Sequence, residues 1–336
     1  MNLGDIITLQ KKIEALPVRE GPFHFIYNTD VLLHQPPTEH PESFHRARVI
    51  LEACLDRAQT EPWVMEQASS AGWTALRAIH DPDYLLALES TGHANKPFFK
   101  TEDCALGFDS LDGILAAGGC AEALGTHMAS GGCGFALTRP PGHHAGIAEA
   151  EGFCFLNHSA IAVNQIRQSH PQAKILVVDF DVHHGNGIEE FFLESDETYY
   201  FSIHGTPKHL YPWTGEERVT GKGMGEGFTN NVTLPIGTTG VDWVESFEEN
   251  LIEVEKFFKP NFILVSAGFD AHLEDPFALM KVEDKEFHHA VQLLIAYANR
   301  CSDDRVGFML EGGYSLEVLG RLVPDIISRL SQKFNS

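Results

Sequence analysis

The sequence predicts an α/β fold built on a parallel β-sheet, because apolar runs of strand length alternate with amphipathic helical segments. Polar clusters follow four of the apolar runs, and ligands of such sheets bind at the carboxyl ends of the strands. The runs are rich in β-branched residues, as expected of strands that are buried on both faces. They lie at Phe23–Tyr27, 134–138, 174–180, 199–203, Phe262–Ala267 and Val306–Leu310.

Helices are predicted between these strands at 111–129, 157–168, 242–259, 284–299 and 316–330. In 242–259, the residues Val244, Phe247, Leu251 and Val254 recur on one face, and glutamates occupy the other. A stripe of this kind is typical of a helix that packs against a core.

The chain has 336 residues, 43% of them apolar, and no repeat, low-complexity tract or long linker divides it. We therefore expect one domain spanning 1–336, with 1–20 as an N-terminal extension. No window approaches the length of a membrane span, and residues 1–20 lack the apolar core of a secretory signal. The six cysteines form no C-x-x-C pair, as in reduced cytoplasmic proteins, so we expect a cytoplasmic protein without a membrane partner.

The formal net charge of -23 argues against a protein that tracks nucleic-acid phosphates, because an acidic surface repels them. The charge is consistent with cationic ligands such as lysine-rich protein segments or polyamines. It is equally consistent with a surface that only keeps the protein in solution.

A metal site is predicted where two of the strands end. Asp181 and His183 are separated by one residue, so their side chains share one face of an extended segment. Asp270 follows another strand and supplies a third ligand. Catalytic zinc sites have three protein ligands and one open position, so the pattern indicates a catalytic metal centre.

Two adjacent histidines, His143 and His144, follow a proline pair after a third strand. A turn there can aim both rings into one pocket, where one removes a proton and the other holds or relays one. A neighbouring polar side chain would orient each ring. Asp179 is the candidate for one histidine, and the neutral Asn186 is the candidate for the other.

Tyr314 follows two glycines after a fourth strand. The glycines allow the loop to bend toward the pocket, and the phenol can donate a hydrogen bond to an oxyanion opposite the metal.

At these residues the sequence resembles the zinc-dependent histone deacetylase family, which includes bacterial amidohydrolases and acetylpolyamine amidohydrolases. The resemblance implies the arginase-deacetylase fold, a central eight-stranded parallel sheet flanked by helices. The similar segments span most of the chain in the family's order: HPES (40–43), EDC (102–104), AAGG (116–119), RPPGHH (139–144), GFCFLN (152–157), VDFDVHHGNG (178–187), SAGFDAH (266–272) and EGGY (311–314).

The resemblance implies zinc ligands, a tandem catalytic pair and an oxyanion donor at Asp181, His183, Asp270, His143, His144 and Tyr314. It also implies a tunnel for the acyl-lysine side chain. Phe153 and Tyr211 match its aromatic walls, and Gly152 matches the glycine whose carbonyl meets the substrate N–H. Asp103 matches the aspartate of the rim, and Phe277 lies at the mouth.

A structural potassium site is the last feature that the resemblance implies. It would be formed, largely through backbone carbonyls, by Asp179, Asp181, His183, Ser202 and Ile203.

Two positions bear on the subgroup. Asn186 stands where class I relatives have aspartate, which indicates a class II-like member, although EDC (102–104) looks more like class I. Phe277 stands where class II deacetylases commonly have leucine and where eukaryotic polyamine-directed relatives have glutamate.

The function implied is zinc-dependent hydrolysis of an N-ε-acyl-lysine amide in a protein or peptide. An acetylpolyamine amidohydrolase is the first alternative, and a non-catalytic acyl-lysine binder is the second. A binuclear manganese ureohydrolase would need further aspartates where the chain has Gly185, Asn186, Gly268 and His272. The sequence leaves the acyl group, the native metal and the oligomeric state open.

Overall fold

A computed structural model describes residues 3–94, 96–277 and 279–335. Its centre is one eight-stranded sheet in which every neighbouring pair of strands is parallel. The strand order is β2-β1-β3-β8-β7-β4-β5-β6. The strands are β1 (Phe23–Tyr27), β2 (Val64–Gln67), β3 (Cys133–Ala136), β4 (Ile175–Asp179), β5 (Thr198–Gly205), β6 (Thr229–Leu234), β7 (Phe262–Ala267) and β8 (Val306–Leu310).

The predicted parallel α/β sheet is therefore confirmed, and the six predicted runs correspond to six of its strands. The strands without a predicted run are β2 and β6, which form the two edges of the sheet. Edge strands have a neighbour on one side only and do not require an apolar run. The residues of β2 are all partly exposed, and β6 has the mixed sequence TNNVTL.

Helices cover both faces of the sheet, and all five predicted helices are present with boundaries that differ by at most four residues. The described α-helices are α1 (Leu3–Glu14), α2 (His45–Arg57), α3 (Trp73–Leu76), α4 (Pro82–His93), α5 (Ser110–Ala129), α6 (His158–Ser169), α7 (Asn186–Phe192), α8 (Gly240–Phe257), α9 (Asp284–Cys301) and α10 (Leu316–Phe334).

Two hydrophobic clusters lie on opposite faces of the sheet, since alternate residues of a strand point to opposite sides. In β4, Leu176 and Val178 join the cluster beneath α2, α8, α9 and α10. Ile175 and Val177 join the cluster beneath α4, α5 and α6. Burial of both faces accounts for the continuous apolar run that predicted this strand.

The apolar stripe of α8 packs into the first of these clusters, as predicted. In the predicted extension 1–20, α1 buries Leu9 in the same cluster. Within the described residues, no helix combines the length and the apolar character needed to cross a lipid bilayer.

Candidate active site

The loops beyond the carboxyl ends of β3, β4, β7 and β8 meet at one edge of the sheet. They carry the polar clusters that the sequence singled out, and these clusters lie together around one cavity. The topology of the sheet therefore brings together residues that are as much as 171 positions apart, from His143 to Tyr314.

Asp181, His183 and Asp270 form a compact group of potential metal ligands. One ligand atom of each lies within 4.8 Å of those of the other two. The Nδ1 of His183 lies 3.0 Å from Oδ1 of Asp181 and 3.1 Å from Oδ2 of Asp270. Both carboxylates are fully buried.

Backbone amides hold the two carboxylates in place. The N–H of Gly312 donates to Oδ2 of Asp181 at 2.7 Å, and the N–H of Val182 donates to Oδ1 of Asp270 at 2.9 Å. Glycine is needed at position 312, because a Cβ there would lie 2.2 Å from Asp270 Oδ2 and 2.4 Å from Asp181 Oδ2. The loop after β8 thus supports the ligands as well as carrying Tyr314.

The electrostatics of this group favour a bound cation. Burial and the charge of Asp181 raise the pKa of Asp270 to about 7. Burial would lower the pKa of His183, but its hydrogen bonds to Asp181 and Asp270 outweigh burial and raise that pKa to about 10. Two carboxylates and one imidazole fit zinc, which takes three protein ligands in catalytic sites.

The tandem histidines lie beside these ligands, with 3.9 Å between their ring centroids. His143 donates from Nδ1 to Oδ2 of Asp179 at 3.2 Å, and His144 donates from Nδ1 to Oδ1 of Asn186 at 2.7 Å. These are the two partners named from the sequence. Each bond leaves Nε2 as the nitrogen available for proton transfer.

The two histidines have opposite protonation preferences. Burial would lower the pKa of His143, but the charges of Asp181 and Asp179 outweigh it and raise the pKa to about 10. Burial and the neighbouring charge of His143 lower the pKa of His144. One ring of the pair therefore holds a proton while the other is neutral.

Glu151 was not predicted, and it completes the chain of contacts behind His144. Its Oε1 accepts a hydrogen bond from Nδ2 of Asn186. This bond fixes the amide so that Oδ1, an acceptor, faces His144. Nothing in the sequence marks Glu151 except its position directly before GFCFLN (152–157).

The loop that carries Tyr314 is held by two buried groups. Oδ2 of Asp275 accepts hydrogen bonds from the N–H groups of Tyr314 and Ser315, at 2.6 and 3.1 Å. Arg46 donates to the carbonyls of Gly313 and Glu311, both at 2.5 Å.

Glu42, in the HPES segment (40–43), forms a buried ion pair with two arginines. Its Oε1 lies 2.9 Å from Nη1 of Arg46 and 2.8 Å from Nε of Arg139. All three side chains are fully buried. This ion-pair group links α2 to the loops after β3 and β8.

The predicted tunnel is a cavity of about 220 Å³, lined by Asp103, His144, Gly152, Phe153, His183, Tyr211, Phe277 and Tyr314. The rings of Phe153 and Phe277 lie 5.9 and 5.1 Å from that of Tyr314, each edge to face. Oδ2 of Asp103 accepts from the N–H of Gly152 at 2.7 Å, so part of this rim carboxylate is used within the chain.

The residues of the predicted potassium site lie where β4 and β5 pair. Asp179 stands opposite Ser202 in the register of these strands. Oδ1 of Asp179 accepts from the N–H of Asp181 at 3.2 Å, and the Ser202 hydroxyl lies 2.8 Å from Nδ1 of His204. The backbone carbonyl oxygens of this segment are the potassium ligands that the resemblance implies.

Comparison with known proteins shows the family of the chain. Residues 40–330 match the histone deacetylase domain. Histone deacetylase 14, chloroplastic, of Arabidopsis thaliana is 33% identical over 325 residues, which cover 89% of this chain and 75% of the relative. Histone deacetylases 15 and 5 of the same plant are longer, and the match covers 46% and 48% of their lengths.

Solved structures give the same result. The HD domain of HDA15 has a TM-score of 0.85 and 29% identity, with 94% of this chain and 91% of that chain covered. The acetylpolyamine aminohydrolase of Burkholderia pseudomallei has a TM-score of 0.79 and 27% identity, with coverages of 92% and 97%. The arginase-deacetylase fold follows, and the chain belongs to the histone deacetylase family of amide-hydrolysing enzymes.

Proposed function

We propose that this chain is a zinc-dependent lysine deacylase, which hydrolyses the amide of an N-ε-acyl-lysine in a protein or peptide. The observation that carries the proposal is that three sets of functional groups meet at one end of the cavity of about 220 Å³. There, a three-ligand group, a tandem histidine pair and a tyrosine meet. These are the parts that amide hydrolysis by activated water requires.

Asp181, His183 and Asp270 would hold the zinc ion, which would supply a Lewis acid for polarising the acyl carbonyl and activating water. His144 accepts a proton at Nε2, because its Nδ1–H is committed to Asn186. His143 is protonated on both ring nitrogens. Its Nδ1–H donates to Asp179, and its Nε2–H is the proton donor for the departing ε-amine. The phenol of Tyr314 donates to the oxyanion.

The cavity lining supports an acyl-lysine substrate. Phe153, Tyr211 and Phe277 offer aromatic surface to an aliphatic stem, and Asp103 is the carboxylate of the lining. Phe277 is 45% exposed at the mouth, where its ring can contact the peptide that carries the lysine.

Acetylpolyamine hydrolysis is the second candidate. Two observations favour it: the structural similarity to an acetylpolyamine aminohydrolase, and the net charge of -23, which attracts a polycation. The apolar Phe277 at the mouth favours the lysine substrate, since a carboxylate there would bind the distal amine of a polyamine.

The test compares kcat/KM for an acetyl-lysine peptide and acetylspermidine, in the wild type and in Phe277→Glu. We expect the wild type to prefer the peptide by about tenfold or more, and the variant to shift the ratio toward acetylspermidine. A wild-type preference for acetylspermidine would replace the lysine assignment with the polyamine one. Peptide binding without turnover of either substrate would indicate a non-catalytic binder.

Potassium binding by the β4–β5 segment is part of the same proposal. It is supported by the register that places Asp179 opposite Ser202, with Ile203 next to it. Potassium is therefore expected to raise the thermal stability of the zinc-loaded chain more than sodium at the same ionic strength.

A further inference from the structure

His24, Glu66 and His127 form a second cluster of metal-ligating side chains, which the proposed reaction does not use. His24 is the second residue of β1, Glu66 lies on the edge strand β2, and His127 lies in the last turn of α5. One potential ligand atom of each lies within 4.8 Å of those of the other two. The cluster contacts the amino-terminal half of β1, whereas the candidate active site lies beyond the carboxyl ends of the strands.

Backbone carbonyls fix the tautomers of both imidazoles. Nε2 of His24 lies 3.2 Å from the carbonyl oxygen of Gly21, and Nε2 of His127 lies 2.9 Å from that of Pro22. A carbonyl oxygen can only accept, so each Nε2 carries a hydrogen and Nδ1 is the nitrogen left for a ligand. Metal-binding histidines are commonly held in this way at the nitrogen remote from the metal.

Glu66 brings a carboxylate to these rings. Its Oε2 lies 2.5 Å from Nδ1 of His24, and the ring of His127 stacks on that of His24 with 3.7 Å between centroids. At this distance the two atoms share a proton, and a bound metal ion would replace that proton with the two atoms about 3 Å apart, because its bonds to N and O are each about 2 Å long. Two imidazoles and a carboxylate are a donor set that suits zinc and other late first-row metals.

An open cavity of about 630 Å³ gives ions access to the cluster, because all three side chains line it and are half-buried. Glu122 lines the same cavity. Its Oε1 is buried and has no hydrogen-bond partner among the residues that the structure describes. A second carboxylate in the lining makes the cavity more favourable for a cation.

We propose that His24, Glu66 and His127 bind a divalent transition-metal ion, Zn²⁺ being the best fit to the donors. The three ligands come from β1, β2 and α5. The ion would therefore link the edge strand β2 and the end of α5 to β1. A ligand that binds only the folded chain stabilises it by an amount that grows with the logarithm of its free concentration. The site is therefore structural, and it is independent of catalysis.

The test is a Zn²⁺ titration of the full chain by calorimetry, in a background with Asp181→Asn and Asp270→Asn that removes two ligands of the candidate active site. We expect this background to bind one equivalent of Zn²⁺. Adding His127→Gln should weaken that binding by about tenfold or more. Adding His289→Gln should leave it unchanged, because His289 lies on α9 and is paired only loosely with Glu248, at 4.0 Å.

His127→Gln and His289→Gln are also compared in the otherwise wild-type chain, because the variant with Asp181→Asn and Asp270→Asn could fail to fold. There, zinc content should fall from two equivalents to one in His127→Gln and stay at two in His289→Gln. Zn²⁺ should also raise the Tm of the background variant and not that of its His127→Gln derivative. Equal zinc affinity and stoichiometry in the His127→Gln and His289→Gln variants would overturn the proposal.

Discussion

The guanidinium of Arg46 lies over the ring of Tyr314, 4.9 Å from its centroid. The same guanidinium donates to the carbonyls on either side of Gly312 and pairs with Glu42. A residue of α2 thus sets the position of the phenol that is proposed to bind the oxyanion. The contact is a cation–π interaction in a dry environment, where such contacts are strongest.

We expect Arg46→Met to lower both stability and turnover. The substitution leaves Glu42 paired with one arginine instead of two, and it leaves the carbonyls of Gly313 and Glu311 without their donor. We expect a cost of about 3–5 kcal/mol in the free energy of unfolding. Tyr314 would lose its support, so kcat should fall more than KM changes. Urea unfolding and steady-state kinetics measure the two effects.

Arg139→Met is the matched control, because Arg139 pairs with the same carboxylate and also donates to the carbonyl of Val31. We expect a similar loss of stability with a smaller loss of kcat among the molecules that remain folded. Equal losses of kcat in the two variants would show that Arg46 does not act through Tyr314.

Glu151→Ala should impair His144 through Asn186. Without its acceptor, the Asn186 amide is free to turn its NH₂ toward His144 and favour the wrong tautomer. We expect kcat/KM to fall by about tenfold or more and the acidic limb of its pH profile to move. Glu151→Gln keeps an oxygen acceptor and should recover most of the activity. An unchanged profile in Glu151→Ala would mean that Glu151 is only structural.

Metal removal tests the three-ligand group. Dialysis against a chelator should abolish turnover, and added Zn²⁺ should restore it. Asp181→Asn should lose one equivalent of bound zinc per chain, since the neutral amide is a poor ligand. Asp303→Asn, at an aspartate that is 92% exposed, is the control and should keep the wild-type content. Full zinc content in Asp181→Asn would refute the assignment of this ligand.

His80 makes stability depend on pH. It is buried, donates from Nδ1 to the carbonyl of Gly146 at 3.0 Å, and accepts at Nε2 from the N–H of Asn157 at 3.0 Å. Burial lowers its pKa from 6.5 to about 4, so the unfolded chain binds this proton more readily than the folded chain. The stability that neutral His80 contributes is thus present above pH 6.5 and is lost as pH falls toward 4.

The matched variant is His80→Gln, whose amide can reproduce both hydrogen bonds without titrating. We expect the wild type to lose about 2 kcal/mol of stability relative to this variant between pH 7.5 and pH 5. Urea unfolding of the metal-free proteins at the two pH values measures the difference. A difference that stays constant with pH would contradict the assigned protonation of His80.

The sequence predicted the interior of the sheet better than its edges. The strands between two neighbours are buried on both faces, so β4 and β7 had to be continuous apolar runs. The edge strands β2 and β6 gain pairing from one side only, and a mixed sequence such as Val64–Gln67 is sufficient there. Periodicity alone does not distinguish such strands from loops.

The groups that are proposed to react could be named from the sequence because each stands in a short motif at a strand end. The residues that hold these groups in position could not be named from the sequence. Arg46 acts on carbonyls that are 265 and 267 positions away, and Glu151 acts on His144 only through Asn186. Contacts to backbone carbonyls require no particular partner residue, so no sequence pattern records them.

The most direct test of the proposed function is acetate release from an acetyl-lysine peptide by the zinc-loaded chain and by its Tyr314→Phe variant. We expect turnover by the wild type and a loss of about 10²–10³ in kcat in the variant, because one oxyanion donor is removed. Zinc content should be equal in the two proteins. Equal rates would contradict the role of Tyr314, and no release by the zinc-loaded wild type would contradict the assignment as a lysine deacetylase.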